Sequence, residues 1–364
     1  RRGPAAGVAC GTSGTRGRLP AGVPSGRRCG TRMVGDESLT GRPMGRVIKP
    51  LRARGAHIAG AAGAKSDELY PPISIAPLVE GEALKGIEYA MPMASAQVKS
   101  CCLLAGLYAD GKTCVTEPAP TRDHTERMLT AFGVPVETNG STMCLDGPAK
   151  LTACDIDVPG DISSAAFFMV AASIAEGSDL TLQHVGINPT RTGIIDILKL
   201  MGASIELLNR REVGGEPVAD IRICSRQLKG VIIPEHLVPL AIDEFPVIFV
   251  AAACAEGETV ITGAEELRVK ESDRIQVMAD GLQILGVDAQ PTADGMVVRG
   301  GAIRGGKVHA RDDHRIAMAF TVAALRASRA IYIEDCINVN TSFPDFVGLA
   351  ASVGLKVTAS EVAG

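Results

Sequence analysis

Four stretches of the chain follow one template, and this internal repetition limits the possible folds more than any other feature. The first stretch runs Ser95-Ala96-Gln97, an apolar run to Tyr108, a turn at Asp110-Gly111, a strand-like Thr113-Cys114-Val115, then Thr121-Arg122 and Gly133. The second runs Ser163-Ser164, apolar residues through Ala172, Glu176-Gly177, Leu180-Thr181-Leu182, Thr190-Arg191 and Gly202. The third runs Asp243-Glu244, apolar residues through Ala253, Glu256-Gly257, Thr259-Val260-Ile261, Arg268 and Gly286. The fourth runs Asp313-His314-Arg315, apolar residues through Ala324, Ile331-Tyr332-Ile333 and Gly354. A partial fifth copy precedes them, with its head at 11–22 and its tail at 36–55. Each copy reads as helix, turn, strand, loop, helix, strand. The apolar runs are Ala-rich and about ten residues long, which favours helix over strand. They are apolar on most faces, so they are expected to be buried. The glycine after each second helix suits a position that needs positive φ.

The 364 residues suffice for more than one domain, and 46% hydrophobic against 21% charged residues points to a packed protein. Only 3% are aromatic, so the cores are expected to be built from Ala, Val, Ile, Leu and Met. A net charge of −4 gives no reason to expect nucleic acid or an anionic membrane as partner. No apolar run is long enough to span a bilayer. The ten cysteines lack paired metal spacing and read as small buried hydrophobes in a reducing cytoplasm. The six histidines show no ligand spacing either, so neither metal nor cofactor is expected. Residues 1–35 carry seven Arg and no apolar signal core, which excludes a signal peptide.

The chemistry-bearing residues fall at two places in the template. Each buried helix opens on polar or charged groups: Ser95 and Gln97, Ser163 and Ser164, Asp243 and Glu244, His314 and Arg315. Ser and Asp there are also ordinary N-caps, but Gln97 and Arg315 are not cap residues. Free N–H groups at helix starts attract anions. The loop before each second helix carries a second set: Arg42, Arg122, Arg191 and the charged run Arg268-Val269-Lys270-Glu271-Ser272-Asp273-Arg274. Arg binds phosphate and carboxylate through two parallel hydrogen bonds. Together the two sets suit a multiply anionic substrate held without a metal.

At these residues the chain resembles the 5-enolpyruvylshikimate-3-phosphate synthases. The matching segments are GDESLTGRPMGRV at 35–47, MASAQVKS at 93–100, EPAPTRDHTERM at 117–128, VPGDISSAAF at 158–167, NPTRTG at 188–193, LRVKESDRI at 267–275, DHRIAMAF at 313–320 and TSFPDF at 341–346. The resemblance covers about 35 to 357 in unbroken order, and two of the motifs look most like bacterial members. It implies an α/β, two-domain enolpyruvyl transferase fold built from six βαβαββ units that closes on its substrates, and five units are visible here. The expected domains are 1–157, an incomplete first half, and 158–364, with three units. The family's Ser-Lys-Ser segment of the first unit is missing, so the chain is expected to start late. The second-unit head keeps Gly14, Thr15 and Arg18 but has Thr12 where Asn is usual, and Thr341 stands where many members have Lys.

The resemblance also implies a reaction, a step of the shikimate pathway toward chorismate and the aromatic amino acids. The 5-hydroxyl of shikimate 3-phosphate attacks C2 of phosphoenolpyruvate while the methylene is protonated; phosphate then leaves the tetrahedral intermediate. Asp243 is the implied base at the hydroxyl and Glu271 the implied acid at the methylene. Ser95, Ala96, Gln97, Arg122, Asp243 and Lys270 would hold shikimate 3-phosphate. Gly14, Thr15, Arg42, Gln97, Arg274, His314 and Arg315 would surround phosphoenolpyruvate. A cytoplasmic monomer is expected, with these two small molecules as its partners. One rival is the sister enzyme UDP-N-acetylglucosamine enolpyruvyl transferase, disfavoured because no Cys lies near the RPM motif. The other is an inactive fragment of the same enzyme.

Overall fold

A computed structural model describes residues 6–11, 14–35, 37–63 and 68–360. Thr12, Ser13 and Asp36, which fall in two of the motifs above, lie outside the described residues. The chain divides into two units, Arg1–Ile156 and Asp157–Gly364. Among the described residues no helix is long and apolar enough to cross a membrane.

The second unit is built on three apolar helices, Ile162–Ile174, Phe245–Ala253 and His314–Ala323. They lack a polar face, so the only favourable place for them is inside, and every residue of Phe245–Ala253 is buried. The three pack on one another, with Ala at many contacts allowing close approach. The second helix of a copy is amphipathic instead. Gly193–Leu200 buries Ile194, Ile195, Ile197 and Leu198 and leaves Asp196 and Lys199 to solvent.

Two of the copies add strands around these helices in one pattern. Asp179–Gly186 pairs antiparallel with Glu216–Cys224, which pairs antiparallel with Ser204–Val213. Glu258–Ile261, Gly295–Arg299 and Asp288–Thr292 repeat that order. A preceding strand segment runs parallel across each first helix, as at Gly160 beside Val185, Ile232 beside Val260, and Gly306–His309 along Ile331–Glu334. This is the βαβαββ unit. The first unit has the same design around the Ala96–Gly106 helix. Glu88–Ala90 lies parallel to Ala109–Thr116, which pairs antiparallel with Thr142–Gly147. The partial copy pairs Ala6–Ala9 parallel with Thr31–Val34. Gly55, Gly133, Gly202, Gly286 and Gly354 follow the second helices, with φ between 81° and 100°.

Three sequence expectations need correction. Asp110-Gly111 is not a turn: both lie inside the Ala109–Thr116 strand, and Gly111 takes φ 96° there. The cysteines are not uniformly buried thiols. Cys114 and Cys144 sit opposite each other on paired strands and form a disulfide, while Cys29, Cys154 and Cys336 are exposed. Finally, the second core is not purely aliphatic. Seven of the eight Phe fall in that unit, and Phe167, Phe168, Phe343 and Phe346 cluster with ring centroids 5.5 to 6.2 Å apart. The first core holds no buried Phe and follows the expectation.

Candidate active site

In the first unit the Gly14–Arg18 helix meets the start of the Ala96–Gly106 helix through side chains. Arg18 Nη1 donates to Gln97 Oε1 at 2.8 Å, and Gln97 Nε2 donates to Thr15 Oγ1 at 3.0 Å. Arg18 Nη2 also reaches the Pro43 carbonyl at 3.3 Å, one residue beyond Arg42. Burial, with the charges of Arg46 and Arg42 nearby, pulls the Arg18 pKa down to about 10. A bound anion would offset the two like charges that act on Arg18. Gly14 opens its short helix. Ser95 uses its hydroxyl as an N-cap, accepting from the Val98 N–H at 3.4 Å, so its capping role is observed directly. Ala96 begins the helix behind it. Arg122 lies in the loop between Ala109–Thr116 and His124–Ala131.

In the second unit one side chain organises the cluster. Arg274 is 1% exposed at the start of the Arg274–Ile284 helix. Its Nε donates to Asp313 Oδ2 at 2.8 Å and its Nη2 to Glu271 Oε2 at 2.8 Å. Its Nη1 stands 3.8 Å from Asp243 Oδ1 and, though buried, has no hydrogen-bond partner among the described residues. Asp313 is fully buried. It also accepts from the Ser272 hydroxyl at 3.0 Å and caps its helix by accepting from the Arg315 N–H at 3.0 Å. Burial works to raise the Asp313 pKa, but the charge and hydrogen bonds of Arg274 prevail and hold it below the usual range. Burial and the adjacent Arg315 lower the pKa of His314, which favours the neutral ring.

Arg315 Nη1 donates to the Asp243 carbonyl at 3.0 Å and lies 4.0 Å from Glu244 Oε1. Glu244 is 3% exposed and accepts a short hydrogen bond from the Ser163 hydroxyl. Burial raises its pKa against the pull of Arg315 and Ser163. Arg191 completes this chain, donating to Ser163 Oγ at 2.6 Å and pairing with Asp161 at 2.8 Å. Lys270 Nζ is 3.9 Å from Asp243 Oδ1 and pairs closely with Glu266.

The structure therefore brings Asp243, Lys270, Glu271, Arg274 and Arg315 to one place in the second unit, and Thr15 and Gln97 to one place in the first. Arg268 is not part of the cluster. It clasps Asp273 at 2.6 Å and the Ala293 carbonyl at 2.8 Å, as a local brace. Sequence reading singled out neither Asp161 nor Asp313 as anchoring caps, and it did not assign Arg18 a contact. Arg18 lay within the Gly14-Thr15 head, so it could have been picked out as a lone cation beside them. Among the described residues no group of three or more His, Cys, Asp or Glu could hold a metal ion.

Comparison with known proteins places the chain in a family. Residues 2–349 match the family model "EPSP synthase (3-phosphoshikimate 1-carboxyvinyltransferase)". The 3-phosphoshikimate 1-carboxyvinyltransferase of Methylococcus capsulatus is 63% identical over 361 residues, covering 98% of this chain and 80% of the relative. That of Alkalilimnicola ehrlichii is 62% identical over 355 residues, covering 97% and 78%. The solved EPSP synthase of Acinetobacter baumannii superposes with a TM-score of 0.90 at 55% identity, covering 99% of this chain and 81% of that one. The enolpyruvyl transferase NikO of Streptomyces tendae shares the fold, with a TM-score of 0.70 at 17% identity, covering 91% and 75%.

Proposed function

The chain belongs to the EPSP synthase family, and from that premise we propose how its own residues divide the work. The family reaction transfers the enolpyruvyl group of phosphoenolpyruvate to the 5-hydroxyl of shikimate 3-phosphate and releases phosphate. In our reading Asp243 takes the hydroxyl proton and Glu271 delivers a proton to the methylene carbon. Ser95, Ala96, Gln97, Arg122 and Lys270 hold shikimate 3-phosphate. Arg42, Arg274, His314 and Arg315, with Gly14, Thr15 and Gln97, hold phosphoenolpyruvate, and we add Arg18 to this group. The protein acts as a cytoplasmic monomer.

The observation that carries the reading is Arg274. One buried guanidinium bonds Glu271 and faces Asp243, so the proposed acid and base share a fixed cation. Its Nη1, which makes no hydrogen bond among the described residues, offers a donor to an incoming anion, and an unmet buried donor is costly unless something fills it. An acid and a base held against one fixed cation are set in place to act on the same bound anion.

The test is a pair of substitutions read by binding and by turnover. Glu271→Gln is expected to bind shikimate 3-phosphate like the parent and to turn over roughly a hundredfold or more slowly, since acid–base groups contribute about 10² to 10⁴. Asp243→Asn should slow turnover to a similar degree. Parent-rate turnover by Glu271→Gln would reduce Glu271 to a salt-bridge partner of Arg274.

A further inference from the structure

The first unit contains a buried charge cluster that the reaction does not use. Lys99 is 1% exposed, and its Nζ lies 2.7 Å from Glu126 Oε1 and 3.1 Å from Glu117 Oε2. Both carboxylates are themselves 8% exposed. We propose that Lys99 is a positioning residue for shikimate 3-phosphate, its buried ammonium fixing the Arg122 loop against the helix start that carries Ser95, Ala96 and Gln97. This rests on the reading of those residues given above.

The placement of the three partners supports it. Lys99 lies two residues beyond Gln97 on the Ala96–Gly106 helix, and its N–H bonds the Ser95 carbonyl at 3.1 Å. Glu117 directly follows the Ala109–Thr116 strand, and Glu126 lies in the first turn of the His124–Ala131 helix. The segment between them contains Arg122. One side chain thus pins both ends of that loop to the helix whose first turn it shares with Gln97. Two hydroxyl bonds act in the same sense: Thr121 donates to Glu117 at 2.7 Å, and Thr125 donates to Ser100, the neighbour of Lys99, at 2.7 Å.

The charge pattern is not one that stability alone favours. Buried ion clusters can often be replaced by apolar residues at no loss of stability. Here one cation serves two carboxylates, and burial pushes the Glu126 carboxyl up against the pull of Lys99. What the cluster supplies is geometry: one side chain holds both ends of the Arg122 loop.

The experiment measures the Kd of shikimate 3-phosphate by calorimetry, with thermal melting alongside. The proteins are the parent, Lys99→Met, Lys99→Arg, the triple variant Lys99→Met/Glu117→Gln/Glu126→Gln, and Arg122→Ala as the site control. Lys99→Met is expected to weaken binding about tenfold or more, since small misplacements of a binding group cost this much or more. Lys99→Arg should recover most of the loss. The triple variant, which leaves no buried unpaired charge, should melt like the parent yet still bind weakly. Parent-like Kd in either folded apolar variant overturns the proposal. So does failure of both to fold, because Lys99 would then support the fold and not the loop. Parent-like binding by Arg122→Ala sinks the site reading itself, and this inference with it. Weak binding there beside parent-like binding in Lys99→Met sinks the inference alone.

Discussion

Asp313 illustrates what a residue can do by holding its neighbours. Four donors converge on its carboxylate: Arg274 Nε and Nη2, the Ser272 hydroxyl and the Arg315 N–H. Its pKa is depressed in the folded protein, so its contribution to stability is complete above the ordinary carboxylate value near 4 and is lost as pH falls through the folded value. Removing one partner of a buried pair costs about 3–5 kcal/mol. Asp313→Asn should therefore melt well below the parent at pH 7, and the gap should close as both are acidified below about pH 4. A gap that stays constant across that range would contradict the assignment of its charge state. The sequence marked Asp313 as the head of a repeat, but its grip on Arg274 spans 39 residues and follows from tertiary packing. The same holds for Arg18 with Gln97 and Ser163 with Glu244. Local spacing reports which faces and ends a residue occupies, and it does not report which distant partner meets it there.

At the scale of elements the template was legible because its signals are local. Ala-rich apolar runs became buried helices, and the glycines after the second helices took the positive φ that a Cβ disfavours. The Asp110-Gly111 misreading has the opposite cause. That dipeptide is a common turn signal, but strand pairing of Gly111 with Gly147 overrides it. Helix contacts across the partial copy were not legible either. Gly22, in the Gly22–Ser25 helix, lies so close to the Ala96–Gly106 helix that an added Cβ would sit 2.2 Å from the Cys101 carbonyl oxygen. Backbone cannot yield as a flexible side chain can. Gly22→Ala should cost about 1–3 kcal/mol of stability by overpacking. It should also weaken shikimate 3-phosphate binding, because the helix it displaces begins at Ala96. Gly41→Ala, which meets open space, is the control and should change neither property. Parent-like melting of Gly22→Ala would show that the two helices can part freely.

For the whole molecule, a chain of net charge −4 concentrates arginine at two clusters, which the proposed reading assigns to anionic substrates. Arg18, Arg42 and Arg46 crowd in the first unit, and Arg274, Arg315 and Arg191 lie along one connected network in the second. The family reaction needs both anions at once, and its products follow from the transfer of a single group. The most direct test mixes the purified chain with phosphoenolpyruvate and shikimate 3-phosphate, separately and together. Released phosphate is assayed and the second product is identified by mass spectrometry. The expected result is phosphate release only with both substrates present, matched mole for mole by shikimate 3-phosphate bearing an enolpyruvyl group. Phosphate release from phosphoenolpyruvate alone, or no enolpyruvyl product with both substrates bound, would contradict the account.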